Sequence, residues 1–227
     1  MVKIRDLLVT QVYIFKSEEL PDASIESITS INNIKEHYQF QTIVPPNNKI
    51  VIYNNGIYTF QDRIYVIKSL TIEARRIIFT ISGISEIADS FFSDLLALLI
   101  PFDNYNSSKR YLPLIKTEET TTIVELSHSF SQLINNSSIA AFVKQLPELI
   151  DSKGCTLQVM PIGMRIKISY LNIPENYSSN SIRLSEKELT IEHRINTPES
   201  DNTFFIKSPN ASSAHLHLLD VLDAMVP

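Results

Sequence analysis

The sequence contains almost no cysteine and no long apolar run. Its single cysteine, Cys155, cannot form a disulfide within the chain, so no oxidising compartment is indicated. The longest uninterrupted aliphatic run, 95–100, is much shorter than a membrane-spanning helix requires. Polar residues interrupt the apolar stretch that follows the charged residues 1–6, which is not the pattern of a signal peptide. We therefore expect a cytoplasmic protein with no membrane partner.

Glycine is also scarce, and its placement excludes the standard phosphate-binding loops. The four glycines lie at 56, 83, 154 and 163, and none stands in a GxGxxG or GxxxxGK[ST] pattern. The net charge of −5, from 20 basic and 25 acidic residues, argues against broad attraction to nucleic acid or anionic membrane. We therefore expect no cofactor, and any nucleic-acid contact would have to be local.

The sequence does contain a pattern of strands and helices typical of an α+β protein. The elements predicted for its first part are a strand at 7–16, a helix at 24–36, strands at 38–45, 48–54, 57–67 and 69–82, and a helix at 85–100. The sequences 45–48 (PPNN) and 54–56 (NNG) predict turns. Ser85 is the predicted N-cap of the helix, and Pro101 ends it.

A similar order of elements follows a predicted linker at 102–120, which is rich in helix breakers and lacks apolar periodicity. The elements predicted after it are a strand at 121–127, helical segments at 129–150, strands at 155–160, 163–171, 182–195 and 203–207, and a helix at 212–226. The sequence thus predicts two α+β units, 1–101 and 121–227, each with a strand, a helix, three or four antiparallel strands and a helix.

A short internal match supports a duplication. Leu70–Arg75 (LTIEAR) and Leu189–Arg194 (LTIEHR) are nearly identical, and each precedes a strand and a terminal helix. This doubled order resembles the TATA-box-binding-protein fold over most of the chain, through element order and not through a motif. The resemblance implies one continuous curved sheet with helices on one face. It leaves the function open, because no paired phenylalanines occupy the strand positions that such proteins use to open DNA.

No group of residues predicts a catalytic or metal site. His215, His217 and Asp220 suggest a metal triplet, but residues two apart on a helix point to nearly opposite sides. His128 could act as a base, yet no nucleophile motif accompanies it. We therefore predict no catalytic, cofactor or metal residues and a protein that is not an enzyme. A site assembled from distant residues around His128 or His193 remains the alternative.

The predicted sheet is more basic than the rest of the chain. The strand-rich windows 37–82 and 154–207 hold eleven basic and eight acidic residues, against nine and seventeen elsewhere. Because Glu73 and Glu192 lie among these basic residues, one interpretation is a solvated face with cross-strand ion pairs. The other interpretation is an interaction face. Its predicted residues are Tyr53, Lys49, Arg75, Arg165, Lys167 and Arg194.

Two functions follow from such a face. The favoured one is a non-catalytic binding protein that contacts a protein partner, or a second copy of itself, through the open face or edge of the antiparallel sheet. The alternative is a nucleic-acid-binding protein that uses the basic residues Arg75, Arg165, Lys167 and Arg194 to contact phosphates.

Overall fold

The structure is a computed structural model of the chain. It describes residues 2–15, 27–47, 50–102, 112–133, 163–168, 187–194, 197–198 and 201–224. Within these residues the protein is an α+β fold, as the sequence predicts, with three helices and an antiparallel sheet of nine strands. None of the helices in these segments is long and apolar enough to cross a membrane.

The strands are β1 Lys3–Ile14, β2 Thr42–Asn47, β3 Ile50–Phe60, β4 Arg63–Glu73, β5 Arg76–Ser82, β6 Ile115–Glu125, β7 Gly163–Ile168, β8 Lys187–His193 and β9 Thr203–Ser208. The helices are α1 Ile28–His37, α2 Ser85–Leu99 and α3 Ser212–Ala224. A 3-10 turn follows α2 at Ile100–Phe102, and one turn of α-helix lies at Phe130–Leu133. The hydrogen-bonded strand order is β2-β3-β4-β5-β1-β6-β9-β8-β7.

The internal contacts divide the chain into two compact units. The first unit comprises Leu7–Thr121 and Asn210–Ser213. The second unit comprises Met1–Asp6, Thr122–Pro209 and Ala214–Pro227.

The helices of the first unit cover one face of its strands. In α2 the buried residues recur at helical spacing, and they include Ile87, Phe91 and Leu95, as the sequence predicts. The start of this helix differs from the prediction. Its N-cap is Ile84, and Ser85 is the first helical residue. The helix ends at Leu99, just before Pro101.

Helix α1 is shifted relative to its prediction. It begins at Ile28, where Ser27 Oγ accepts a hydrogen bond from the Ser30 amide at 3.4 Å. Of the isoleucines spaced three apart, Ile31 and Ile34 are buried, whereas Ile28 is 75% exposed. A spacing of three drifts around a helix of 3.6 residues per turn, so the series cannot stay on one face.

The Asn-Gly sequence predicted as a turn lies inside β3. Buried residues Val51 and Tyr53 are followed by Gly56 and Tyr58, so one step of the alternation has three residues instead of two. Asn55, with φ of 54°, accommodates the extra residue because asparagine tolerates the left-handed region. The reversal occurs later, at 61–62, in a two-residue hairpin whose central residues both have positive φ.

Two further boundaries were wrong. The strand predicted at 69–82 is interrupted at 74–75, where a two-residue turn separates β4 from β5. The linker predicted at 102–120 ends earlier, because residues 115–120 form the first half of β6. Its threonine-rich sequence favours an extended conformation despite its charges. Residues 103–111 lie outside the described segments.

The core of the second unit contains Val124, Leu126, Phe130, Ile191, Phe204, Ile206 and Leu219. Its strands β7, β8 and β9 pair antiparallel in sequence order. The helix predicted at 129–150 is described only for its first turn, and the strand predicted at 155–160 lies outside the described residues.

The repeated LTIE sequences lie at equivalent positions in the order of elements. One is on β4 and the other on β8, and each is followed by a further antiparallel strand and a helix. The internal duplication and the resemblance to the TATA-box-binding-protein fold stay predictions, because element order alone establishes neither of them.

Candidate functional site

The predicted interaction residues are divided between the two units. Tyr53 was predicted to lie on the interaction face, but its side chain is 0% exposed, and its ring centroid lies 5.1 Å from that of Phe40. Lys49 lies outside the described residues. Arg75 occupies the turn between β4 and β5, where its amide oxygen accepts from the Phe15 amide at 2.9 Å and its Nε donates to the Phe15 carbonyl at 3.3 Å. These contacts hold the turn against the end of β1.

The remaining predicted residues lie in the second unit. Arg165 and Lys167 are exposed on β7, and the half-buried Arg194 follows β8, where its amide donates to the Thr203 carbonyl at 2.9 Å. The Arg165 Nη2 atom lies 3.0 Å from Glu192 Oε1, and its hydrogen bond raises the pKa of the arginine. A phosphate would have to compete with this carboxylate for Arg165.

The histidines occupy separate places. His215 is fully buried in α3, whereas His217 is exposed, as their spacing predicts. His193 packs edge-on to Phe204, with ring centroids 5.7 Å apart. His128 lies half-buried in the bend after β6. The described residues bring none of these imidazoles beside a nucleophile and a carboxylate at once.

The burial of Tyr53 leads to a testable prediction. Among the described residues its hydroxyl has no hydrogen-bond partner, and burial raises the pKa of the phenol. A buried polar group without a partner is destabilising, so Tyr53→Phe is expected to raise the free energy of unfolding by about 1 kcal/mol. Urea denaturation measures the change. Tyr58→Phe is the matched control, because the Tyr58 hydroxyl lies 2.8 Å from Ser90 Oγ and its removal should lower stability. A loss of stability with Tyr53→Phe would contradict the prediction.

A polar cluster lies on the helix-covered face of the first unit. The amide nitrogen of the buried Gln11 donates to Asp89 Oδ1 at 2.6 Å and to Glu118 Oε2 at 2.8 Å. The Lys116 ammonium group contacts the same two carboxylates. Tyr13 donates to Gln11 Oε1 at 2.8 Å, and burial, together with Asp89, raises the pKa of this phenol.

The polar groups of this cluster form hydrogen bonds and ion pairs with one another. Ser85 Oγ donates to the second oxygen of Glu118. Because Ser85 begins α2, the carboxylate also lies at the positive end of the helix dipole. Both carboxylates therefore have partners in the protein, and we interpret the cluster as structural.

Most residues of the opposite face of the first unit were not among the residues predicted from the sequence. Along β1, β3, β4 and β5, the residues between the buried positions project away from α1 and α2. None of them belongs to a core cluster of the described residues. We call this surface the open face. Its cross-strand rows are Leu8, Ser82, Val66 and Ile57; Thr10, Thr80, Ser69 and Asn54; Val12, Ile78, Thr71 and Ile52; and Ile14, Arg76, Glu73 and Ile50.

The rows of the open face differ in chemistry. The row of Val12, Ile78, Thr71 and Ile52 is mainly apolar. Val44 of β2, which is 47% exposed, pairs with Ile52 and extends this row. Beside it runs a row of hydroxyls and one amide, in which the Oγ1 atoms of Thr10 and Thr80 lie 2.8 Å apart. The last row has one charge of each sign. Arg76 Nε donates to Glu73 Oε2 at 3.0 Å and Nη2 to Oε1 at 2.8 Å, which raises the pKa of the guanidinium.

The open face continues to the β3–β4 hairpin. Ile64, at 68% exposure, and Val66, at 40%, lie there opposite Thr59 and Ile57. The signal for this surface is in the sequence, since Val12, Ile52 and Ile78 alternate with the core residues of their strands. These residues were missed because both alternating sets are apolar, so the pattern does not tell which set is covered.

Comparison of the chain with protein-family models and with curated proteins found no match. A functional conclusion must therefore come from the geometry of the chain itself.

Proposed function

We propose that the protein is a non-catalytic binding protein and that its open face contacts a protein partner. The observation that supports this proposal is the set of cross-strand rows that project away from α1 and α2. These rows carry many apolar side chains and few charges, namely Glu73, Arg76 and the nearby Lys68, and a low content of charged residues is typical of the centre of a protein interface. We also propose that it acts in the cytoplasm, because the lone Cys155 offers no disulfide within the chain.

The charges of the open face favour a protein over a nucleic acid. Nucleic-acid binding draws on cations that can replace the counterions of the phosphates. Arg76 already has a bidentate carboxylate partner in Glu73. Arg165 of the second unit is likewise paired with Glu192. Binding of nucleic acid through Arg75, Arg165, Lys167 and Arg194 is the alternative. It predicts retention of DNA or RNA at low salt that Arg165→Glu together with Lys167→Glu removes.

Site-specific crosslinking tests the proposed surface. A photo-crosslinking amino acid is placed at Thr71, in the middle of the open face, in the full chain expressed in its native cells. The control places it at Ala97, which is exposed on α2. We expect a discrete protein adduct from position 71 and none from position 97.

The protein in the adduct, once identified and purified, allows a quantitative test. Ile52→Lys would bury a charge at the contact and is expected to weaken binding at least about tenfold, which corresponds to about 1.4 kcal/mol. Ala97→Lys should leave the Kd unchanged within about twofold. The proposal fails if the two positions give the same adducts or if Ile52→Lys binds as well as the parent chain.

A further inference from the structure

We infer that the partner of the open face is a second copy of this chain, packed sheet to sheet about a two-fold axis. The axis would run parallel to the strands, between β4 and β5. This inference rests on the proposed function, because it names the occupant of the same surface.

The ion pair of the open face is complementary to itself under this symmetry, while the exposed Lys68, at the irregularity in β4, is a further charge outside this pair. A two-fold axis between β4 and β5 exchanges these strands and preserves each cross-strand row. Arg76 is the cross-strand neighbour of Glu73, one on each side of the axis. Arg76 of one copy would therefore lie over Glu73 of the other, and the symmetry would make the same pair twice.

The uncharged rows also match themselves. The same axis exchanges β1 with β3, which are the outer neighbours of β5 and β4. Val12 would then lie over Ile52, and Ile78 over Thr71, so apolar side chains would meet in the middle of the interface. In the neighbouring row, Thr80 would face Ser69, where two hydroxyls can exchange hydrogen bonds.

The open face is somewhat smaller than a standard specific interface. The four strands from β3 to β1, spaced about 4.8 Å apart, are about 19 Å wide. Four rows, separated by about 6.8 Å, extend for about 27 Å. The resulting area of about 520 Å² is about two thirds of the roughly 800 Å² per partner of a standard interface. Face-to-face packing with nearly aligned strands is an established arrangement of two sheets.

Sedimentation equilibrium of the purified full chain, from about 1 μM to about 1 mM, tests the inference. The parent chain is expected to form a dimer and no larger species. Glu73→Arg gives both copies like charges at the axis, and Arg76→Glu does the same with the opposite sign. Each single variant should therefore raise the Kd of the dimer at least about tenfold. Asn33→Arg, on the exposed side of α1, is the control and should not change the Kd.

Mixing the two single variants separates a contact between chains from an effect within one chain. The chain with Glu73→Arg carries two positive charges in this row, and the chain with Arg76→Glu carries two negative charges. We expect an equimolar mixture to form mixed dimers with a Kd close to that of the parent. A role of the ion pair inside one chain would produce no such recovery.

The possible failures can be distinguished. A parent chain that stays monomeric at about 1 mM overturns the second-copy inference, as does a mixture that stays monomeric while the parent dimerises. Neither result affects the crosslinking test, in which a different protein attached at position 71 would still support the proposed function. If a single variant loses cooperative unfolding, Ile52→Lys replaces it. This substitution leaves the ion pair intact and must weaken the dimer, or the inference is wrong.

Discussion

Gly56→Ala is expected to lower the free energy of unfolding by about 1–3 kcal/mol, as overpacking of a filled core usually does. An added Cβ would lie 2.5 Å from Phe40 Cε1 and 3.0 Å from the Tyr38 carbonyl oxygen. Neither neighbour can yield easily. Phe40 is buried against Tyr53, and the Tyr38 oxygen accepts the Ile57 amide at 2.7 Å. Urea denaturation followed by circular dichroism measures the loss.

Two variants check the cause of this loss. At Gly163, on β7, an added Cβ would lie 2.9 Å from Glu192 Cγ, in a partly exposed side chain that can move, and 3.3 Å from the Ile191 carbonyl oxygen. Gly163→Ala should therefore lower stability by less than Gly56→Ala does, by about 1 kcal/mol or less. In the background of Phe40→Leu, the effect of Gly56→Ala should shrink, because the aromatic ring that causes the clash is gone. Equal effects at the two glycines would show that the contact with Phe40 does not matter.

Acidification is expected to destabilise the protein through His215, by about 2 kcal/mol between about pH 7 and about pH 5. The imidazole is 0% exposed, and its two nitrogens contact Thr122 Oγ1 at 2.9 Å and Ser208 Oγ at 2.7 Å. Burial lowers the pKa of His215 from 6.5 to about 4. Both partners are hydroxyls, which do not titrate in this range.

The direction follows from proton binding. Well above pH 6.5 His215 is neutral in both the folded and the unfolded chain, so protonation of this group costs the folded state no stability. As the pH falls from 6.5 towards 4, only the unfolded chain takes up the proton, and the folded state loses stability. The total loss by about pH 4 is about 3 kcal/mol, at 1.36 kcal/mol per unit of pKa difference.

Matched histidine variants isolate this effect from other titrating groups. His215→Gln keeps a polar side chain that cannot be protonated, and it should flatten the dependence between about pH 7 and about pH 5. His217→Gln removes an exposed histidine from the same helix and should leave the dependence unchanged. If His215→Gln has the same pH profile as the parent chain, another group causes the loss.

The elements whose patterns are local were predicted well. Helix α2 was found because Ile87, Phe91 and Leu95 repeat at a spacing that only a helix places on one side. The opposite faces of His215 and His217 follow from the same geometry. The strands β1 and β6 were located, although β6 begins six residues before its predicted start at 121. Its early part is charged, and there the intrinsic preference of threonine for extended conformations outweighed the loop-like composition.

The candidate site was predicted less well, since it depends on which face of each strand is covered. Tyr53 was expected to be partly exposed because of its spacing from Lys49, but its side chain is buried against Phe40 in the core. Binding through an open sheet face was predicted, but most of the residues on that face were not. These residues become neighbours only through the pairing of β1, β3, β4 and β5.

The amino-acid sequence by itself determined the α+β class, the apolar stripe of α2 and the separation of His215 from His217, because these depend on contacts within a few residues. Tertiary structure decided which side of each strand is buried and which side projects from it. In these strands both sides carry apolar residues, such as Tyr13 beside Val12 and Phe79 beside Ile78. The core side of these strands is the side against which α2 packs, and the other side is the open face. Burial is therefore decided by contacts between residues that are far apart in the sequence.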